Sequence, residues 1–206
     1  DFVEKQVHGA YPNADIKEVD EINIFSEKGK VSFASLTFDR AKYLPLKPYK
    51  DLPTDGLSLI TSALAKMGPG EGAVVQILLQ PASKKWQDQG RSYVQKQKKR
   101  EADPEKASYN HDPKEMEAIT TKAEKVGFTV ALRVVVSSPD ENSADSHINN
   151  ILGAFAQFSS AYNNIKKGRV FLKHLFMIDF LYRYMPLFNR NTMILNSEEL
   201  ATMFHL

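Results

Sequence analysis

The chain has no cysteine among its 206 residues. Disulfides, thiolate zinc sites and a cysteine nucleophile are therefore excluded together. A reducing cytosolic setting is compatible with that, though it is not required by it. Charge of one sign is also missing. Basic residues number 27 and acidic residues 25, for a net charge of +2. A balance this close does not by itself imply a polyanionic partner. No apolar run reaches about 18 residues, so no segment reads as a membrane-spanning helix. A secretory signal is not in view either. The chain opens "DFVEK", without an initiator Met, and closes "ILNSEELATMFHL" just as a new helix begins. Asn196 and Glu199 have capping-box spacing, Leu200, Met203 and Phe204 start an apolar stripe, and no stop signal follows. The expectation is a piece of a longer protein.

Catalytic patterns are equally scarce. "GPGEG" (68–72) follows a helical pattern and opens a strand, whereas a phosphate loop follows a strand and opens a helix. It reads as a turn. His8, His111, His147, His174 and His205 have no partner at metal-ligand spacing on one helix face. Serine occurs in neither a nucleophile elbow nor a Ser-x-x-Lys pair. Carboxylates are spread along solvated faces, so no acid–base pair is visible. No metal and no cofactor are expected.

What is present specifies an architecture. A chain of this length buries roughly 70% of its unfolded surface and needs no covalent staple. Residues 2–11 read as a short helix ended at Pro12-Asn13. "DIKEVDEINIF" alternates enough for one or two short strands, and "VSFASLTF" (31–38) is a half-buried strand. Pro45, Pro48 and Pro53 make an extended connector. Asp55 caps a helix carrying Leu57, Ile60, Leu64 and Met67, stopped at Gly68. "GAVVQILLQP" is a strand ended by Pro81. Residues 83–127 then read as a helical hairpin. Its second helix starts at Asp112 with Pro113 at the first position and Glu115 completing a capping box. "FTVALRVVV" (128–136) is a strand, and Ile148, Ile151, Leu152, Phe155 and Phe158 mark another helix. "AYNNIKKGRV" holds a short edge strand with protective lysines. "FLKHLFMIDFLYRYMPLF" is apolar on most sides, a buried helix or an interface element.

The order strand–helix–strand, helical insertion, strand–helix–strand reads as two split βαβ units. The expected fold class is α+β, a ferredoxin-like split βαβ sandwich with the helical hairpin 83–127 inserted. The expected domains are 1–170 and a helical connector, 171–206, toward a further domain. A doubly wound parallel sheet needs more alternating units than the chain offers.

One constellation carries candidate contact residues. Lys84, Lys85, Arg91, Lys96, Lys98, Lys99 and Arg100 share one expected helix with Trp86 and Tyr93. Cations with aromatics suit single-stranded nucleic acid, and Trp86 beside lysines suits a membrane surface. The plain alternative is a solvated helix with Trp86 and Tyr93 on its inner face.

"QVHGAYPNADI", "YLPLKPYKDLPTDGLSLITSALAKMGPGEGAVVQILLQPA", "GFTVALRVVV" and "ILNSEELATMFHL" together resemble the amino-terminal region of the type IV secretion and conjugative DNA-transfer ATPases of candidate-phylum bacteria. The resemblance covers nearly the whole chain. Gly56 stands where that family commonly has proline. The resemblance implies a non-catalytic structural or interaction domain preceding a RecA-like motor. Its implied partners are the downstream motor domain of the same chain, further copies in a homo-oligomer, DNA, and a membrane platform reached through an upstream anchor. The implied location is cytoplasmic, at the inner face of the cell membrane. No catalytic residue carries over. Two other readings stay open: a nucleic-acid-binding module using helix 84–100, and a small-molecule enzyme, which would need a pocket of convergent polar groups.

Overall fold

A computed structural model describes residues 2–102, 112–187 and 191–204. After an N-terminal helix α1 (Phe2–Ala10), the chain reaches β1 (Lys30–Phe38), α2 (Gly56–Leu64) and β2 (Gly72–Pro81). The hairpin helices α3 (Lys85–Glu101) and α4 (Pro113–Glu124) follow, then β3 (Gly127–Ser138), α5 (Glu141–Phe155) and β4 (Ile165–Lys167). The chain closes with α6 (Lys173–Leu181), β5 (Met193–Asn196) and α7 (Ser197–Met203). The fold is mixed α and β around one five-stranded sheet of order β2-β3-β1-β4, with β5 also paired to β3. Among the described residues every pairing is antiparallel.

β3 is the spine. Its residues 128–137 face β2 on one side, while β1 and β5 divide the other side between them. Period-two alternation sends Val130, Leu132, Val134 and Val136 to one sheet face. There they meet Ala34, Leu36 and Phe38 of β1, Ile60 and Ala63 of α2, and Ile148, Ile151 and Phe155 of α5. Each fully buried Val, Leu, Ile or Phe side chain among them contributes about 1.5–3 kcal/mol. The opposite face is covered by α6, whose Phe176 and Phe180 pack on Val135 and Phe33, with Ile24 and Phe25 alongside.

Several expected starts and stops are realised by the expected chemistry. Asp55 accepts the amide of Leu57 at 3.1 Å. Asn196 and Glu199 form the full capping box at α7. Gly70 holds φ 79° in the "GPGEG" turn. The lysines of β4 lie on the exposed edge strand.

Four expectations are corrected. Residues 15–25 form no strand. The side chain of Asn23 accepts the amide of Phe25 at 2.9 Å and turns the backbone away from a ladder. α2 ends at Leu64, before Gly68, whose amide is instead taken by the Glu71 carboxylate at 2.8 Å. Glu115 does not complete a capping box. Asp112 accepts from Lys114, and Glu115 instead takes the hydroxyl of Tyr93, joining α4 to α3. Finally, 171–206 is not a helical connector. β5 lies in the sheet beside β3, and Leu195 and Met203 belong to the main core.

Candidate interaction surfaces and polar clusters

The hairpin is fastened to the sheet from both of its helices. Trp86 of α3 is 3% exposed. It packs so closely over Gly127 that a Cβ there would lie 2.6 Å from the indole ring. Gly90 similarly admits Ile119 and Tyr43. From α4, Lys122 reaches into the body with its side chain 1% exposed. Its ammonium donates to the carbonyls of Leu44 at 3.1 Å and Ile194 at 2.9 Å, and lies 3.1 Å from the Glu199 carboxylate. Burial pulls the Lys122 pKa below its ordinary value, and Glu199 opposes that shift. Glu199 also accepts the amides of Leu46 and Asn196. The pair floors a cleft of about 690 Å³ whose walls mix cations (Lys47, Lys114) with carboxylates (Asp51, Glu117, Glu198).

The inward face of α3 is thus used up, and its outward face is left to charge. Lys84, Lys85, Arg91, Lys96, Lys98, Lys99 and Arg100 are all exposed. Trp86 does not join them. It is a core residue, so the aromatic contact expected of it at a membrane or nucleic acid is replaced by an anchoring role. Tyr93 is half-buried and bonded to Glu115.

A second surface is apolar. Phe171 is 72% exposed and Leu187 82%, and Leu172, Leu181, Tyr182 and Tyr184 are exposed between them. Tyr182 and Tyr184 stack with ring centroids 5.7 Å apart. The C-terminal part of this segment is tied down by hydrogen bonds. α6 closes with Arg183 at φ 56°, while Tyr184 and Arg183 donate amides back to Asp179 and Phe180, the Schellman pattern with an arginine in the glycine position. Arg133, buried in β3, then donates to the carbonyls of Asp179 at 2.9 Å and Tyr184 at 2.6 Å. Its cross-strand neighbour Gln76 accepts from it at 2.9 Å and donates to Phe180 at 3.0 Å. Burial lowers the Arg133 pKa and Asp179 opposes the shift, and a guanidinium stays charged under both influences. Arg133 was visible as a lone charge within "ALRVVV". Alternation alone does not say that its target is a helix C-terminus.

A third cluster joins the turn before β2 to β3 and α5. Glu71 accepts from Ser138 at 2.5 Å and from the Gly68 amide, and lies 3.0 Å from His147 Nε2. The Ser138 bond, then the Gly68 amide and the imidazole, lower the Glu71 pKa. The carboxylate stands between hydroxyl and imidazole, so His147 does not address Ser138 as a general base would. His147 Nδ1 is buried without a partner among the described residues. Beside it, Ser32 donates to Asp145. Asp145 and His147, two positions apart on α5, have separate partners, and sequence spacing could not bring Glu71 to His147 across 76 positions.

Among the described residues no group of three or more His, Asp or Glu could hold a metal ion, and no helix is long and apolar enough to cross a membrane. An apolar groove of about 680 Å³ runs over β2 between α2 and α7, lined by Ile60, Leu64, Val75, Ile77, Leu200 and Phe204 among others.

The fold and its surfaces define an antiparallel α/β domain with a basic helical hairpin on one side and an apolar ridge on another. The chain belongs to the family described as a domain of unknown function (DUF8128), whose model matches residues 1–169. The matched segment runs from α1 through β4 and ends before α6. No curated protein matches the sequence.

Proposed function

We propose that this chain is a non-catalytic structural and interaction domain of a type IV secretion-like ATPase that translocates DNA or protein, seated on the adjoining motor domain by the 171–187 surface. The observation that carries the reading is the apolar ridge itself. Six large apolar side chains of one short segment are exposed, Tyr182 and Tyr184 among them stacked on each other, and exposed apolar surface marks interaction sites. Leu181, Tyr182 and Tyr184 sit at a helix end held by a buried arginine, so that part of the surface is preorganised for docking. The assignment to a translocating ATPase comes from the sequence resemblance, as do a cytoplasmic location at the inner membrane face and contacts to neighbouring subunits. The ferredoxin-like reading of the fold belongs to the same proposal. The order β2-β3-β1-β4 is that of two split βαβ units, with α2 and α5 as crossovers and the hairpin inserted between β2 and β3.

Hydroxyl-radical footprinting of the isolated 206-residue chain and of the full-length polypeptide tests this. Phe171, Tyr182 and Leu187 are expected to lose reactivity in the full-length protein, and the quadruple variant Phe171→Ser, Leu172→Ser, Tyr182→Ser, Leu187→Ser to uncouple the domain from the motor while keeping its own melting temperature. Equal reactivity in both proteins, or ATP turnover by the isolated chain, overturns the reading.

A further inference from the structure

The outward face of α3 remains once the ridge is assigned to docking, and its use does not depend on that assignment. Residues 84–101 carry seven cations against Asp88 and Glu101, a local charge of +5 in a chain whose total is +2. The rest of the chain is therefore net −3. The near-neutral composition hides a segregated charge, and segregation is what creates a local field. Among the described residues only Arg91 of these cations is ion-paired, to Asp88 at 3.8 Å with both side chains well exposed. Such a pair contributes little.

We infer that this face binds the phosphate backbone of nucleic acid, without reading base sequence and without stacking on bases. The first reason is charge complementarity along a rigid rod. From Lys84 to Arg100 the helix is about 24 Å long, roughly the rise of seven base pairs. The cations fan over the whole convex face, so about four can meet one duplex at once. The second reason concerns what is missing from this face. None of the exposed large apolar side chains lies on α3. Trp86 is beneath Gly127 and the Tyr93 hydroxyl is bonded to Glu115. A single-strand binder stacks bases on exposed aromatics, and an interfacial helix sinks an apolar face into lipid. α3 has spent its aromatic and apolar groups on α4 and the sheet. Phosphate contact needs only the cations and polar donors such as Ser92 and Gln95, and these are exposed.

The test is fluorescence anisotropy with a labelled 20-base-pair duplex, a scrambled duplex of equal composition and a 20-nucleotide single strand, from 50 to 300 mM KCl. Two variants accompany the wild type. One carries Lys96→Gln, Lys98→Gln, Lys99→Gln and Arg100→Gln. The other carries Lys5→Gln, Lys17→Gln, Lys28→Gln and Lys173→Gln, which remove the same charge from exposed sites elsewhere. Circular dichroism confirms that both are folded. The expected result is duplex binding independent of sequence, no weaker than single-strand binding, with a log–log salt slope of about −3 to −4. The α3 variant loses at least tenfold in affinity, with a shallower slope, and the control variant keeps wild-type binding. Absence of duplex binding at 50 mM KCl overturns the inference. So does equal loss in both variants, which would make net charge the cause. So does sedimentation with phosphatidylserine vesicles without DNA binding, which would make the face a membrane contact.

Discussion

The guanidinium of Arg133 lies 2.6 Å from the carbonyl oxygen of Tyr184, across 51 positions of sequence. A charge buried in the central strand is thereby spent on the exposed end of a helix. The carbonyls at a helix C-terminus lack intrahelical donors and carry partial negative charge. Arg133 supplies both the donors and the opposite charge from below. The C-terminal end of the apolar ridge is consequently held by the central strand of the sheet.

Replacing Arg133 with Met should expose this dependence. The carbonyls of Asp179 and Tyr184 and the Gln76 side chain lose a charged donor, for a cost of about 2–4 kcal/mol. Hydrogen exchange is expected to accelerate first at the amides of 180–184, ahead of those of α5. Arg133→Lys should rescue only a small part, because one ammonium cannot reproduce the planar fork that spans both carbonyls. Uniform acceleration across the whole chain would show that Arg133 supports the core in general and not the ridge.

The buried pair Lys122–Glu199 makes a separable prediction. Lys122→Ala should destabilise by about 3–5 kcal/mol, because Glu199 is left as a buried charge. Neutralising both partners, in Lys122→Met with Glu199→Gln, should cost clearly less than the sum of the single changes. Urea unfolding of the four proteins in a double-mutant cycle measures the coupling. Strict additivity would mean that the two groups are solvated independently. The same result bears on the hairpin. It stands outside the sheet, yet Lys122 ties it to Leu44 and Ile194, so its removal is not neutral for the body.

Glu71 gives a pH dependence of defined sign. Its ordinary value is 4.5, and its bonds with Ser138, Gly68 and His147 lower it in the fold. A carboxyl lowered on folding adds stability that is complete above the unfolded pKa and is lost as pH falls through the folded one. The unfolding free-energy difference between wild type and Glu71→Gln should therefore shrink as the solution is acidified below 4.5. Using the difference cancels carboxylates common to both proteins, including Asp140, whose pKa is also lowered, by its bonds to Ser143. A gap independent of pH down to 3 would show that the Glu71 bonds contribute nothing as charge interactions.

Local chemistry was legible in the sequence, and distant chemistry was not. Asp55, Asp112 and Asn196 each cap a helix whose first amides lie two or three residues on, so adjacent residues suffice to read them. The same locality misled at Glu115, where Tyr93, 22 positions away, competes for the carboxylate. It misled again at 193–196. Four residues carry little alternation, and their strand character comes from pairing with 127–130, more than sixty positions earlier. Of the basic helix, the sequence showed the cations and their number. Which face Trp86 takes was open, because a tryptophan between lysines has one spacing whether it points in or out. Gly127 decides it by leaving room for the indole.

That fit yields the last prediction. A Cβ at position 127 would fall 2.6, 2.8 and 2.9 Å from three atoms of the Trp86 ring system, which has no flexible end to withdraw. Gly127→Ala must then displace the start of α3 or bend β3, which also meets β5 at this residue. Overpacking of this kind costs about 1–3 kcal/mol. If α3 yields, the single tryptophan becomes solvated, so its emission should shift to longer wavelength while the far-ultraviolet circular dichroism is retained. The companion change Trp86→Phe should recover stability in the Gly127→Ala background, since the smaller ring withdraws the clashing atoms, although it costs stability by itself. An unshifted emission maximum with unchanged melting temperature would mean that Trp86 does not rest on Gly127. It would also remove the reason for placing the aromatic group inside and the cations outside.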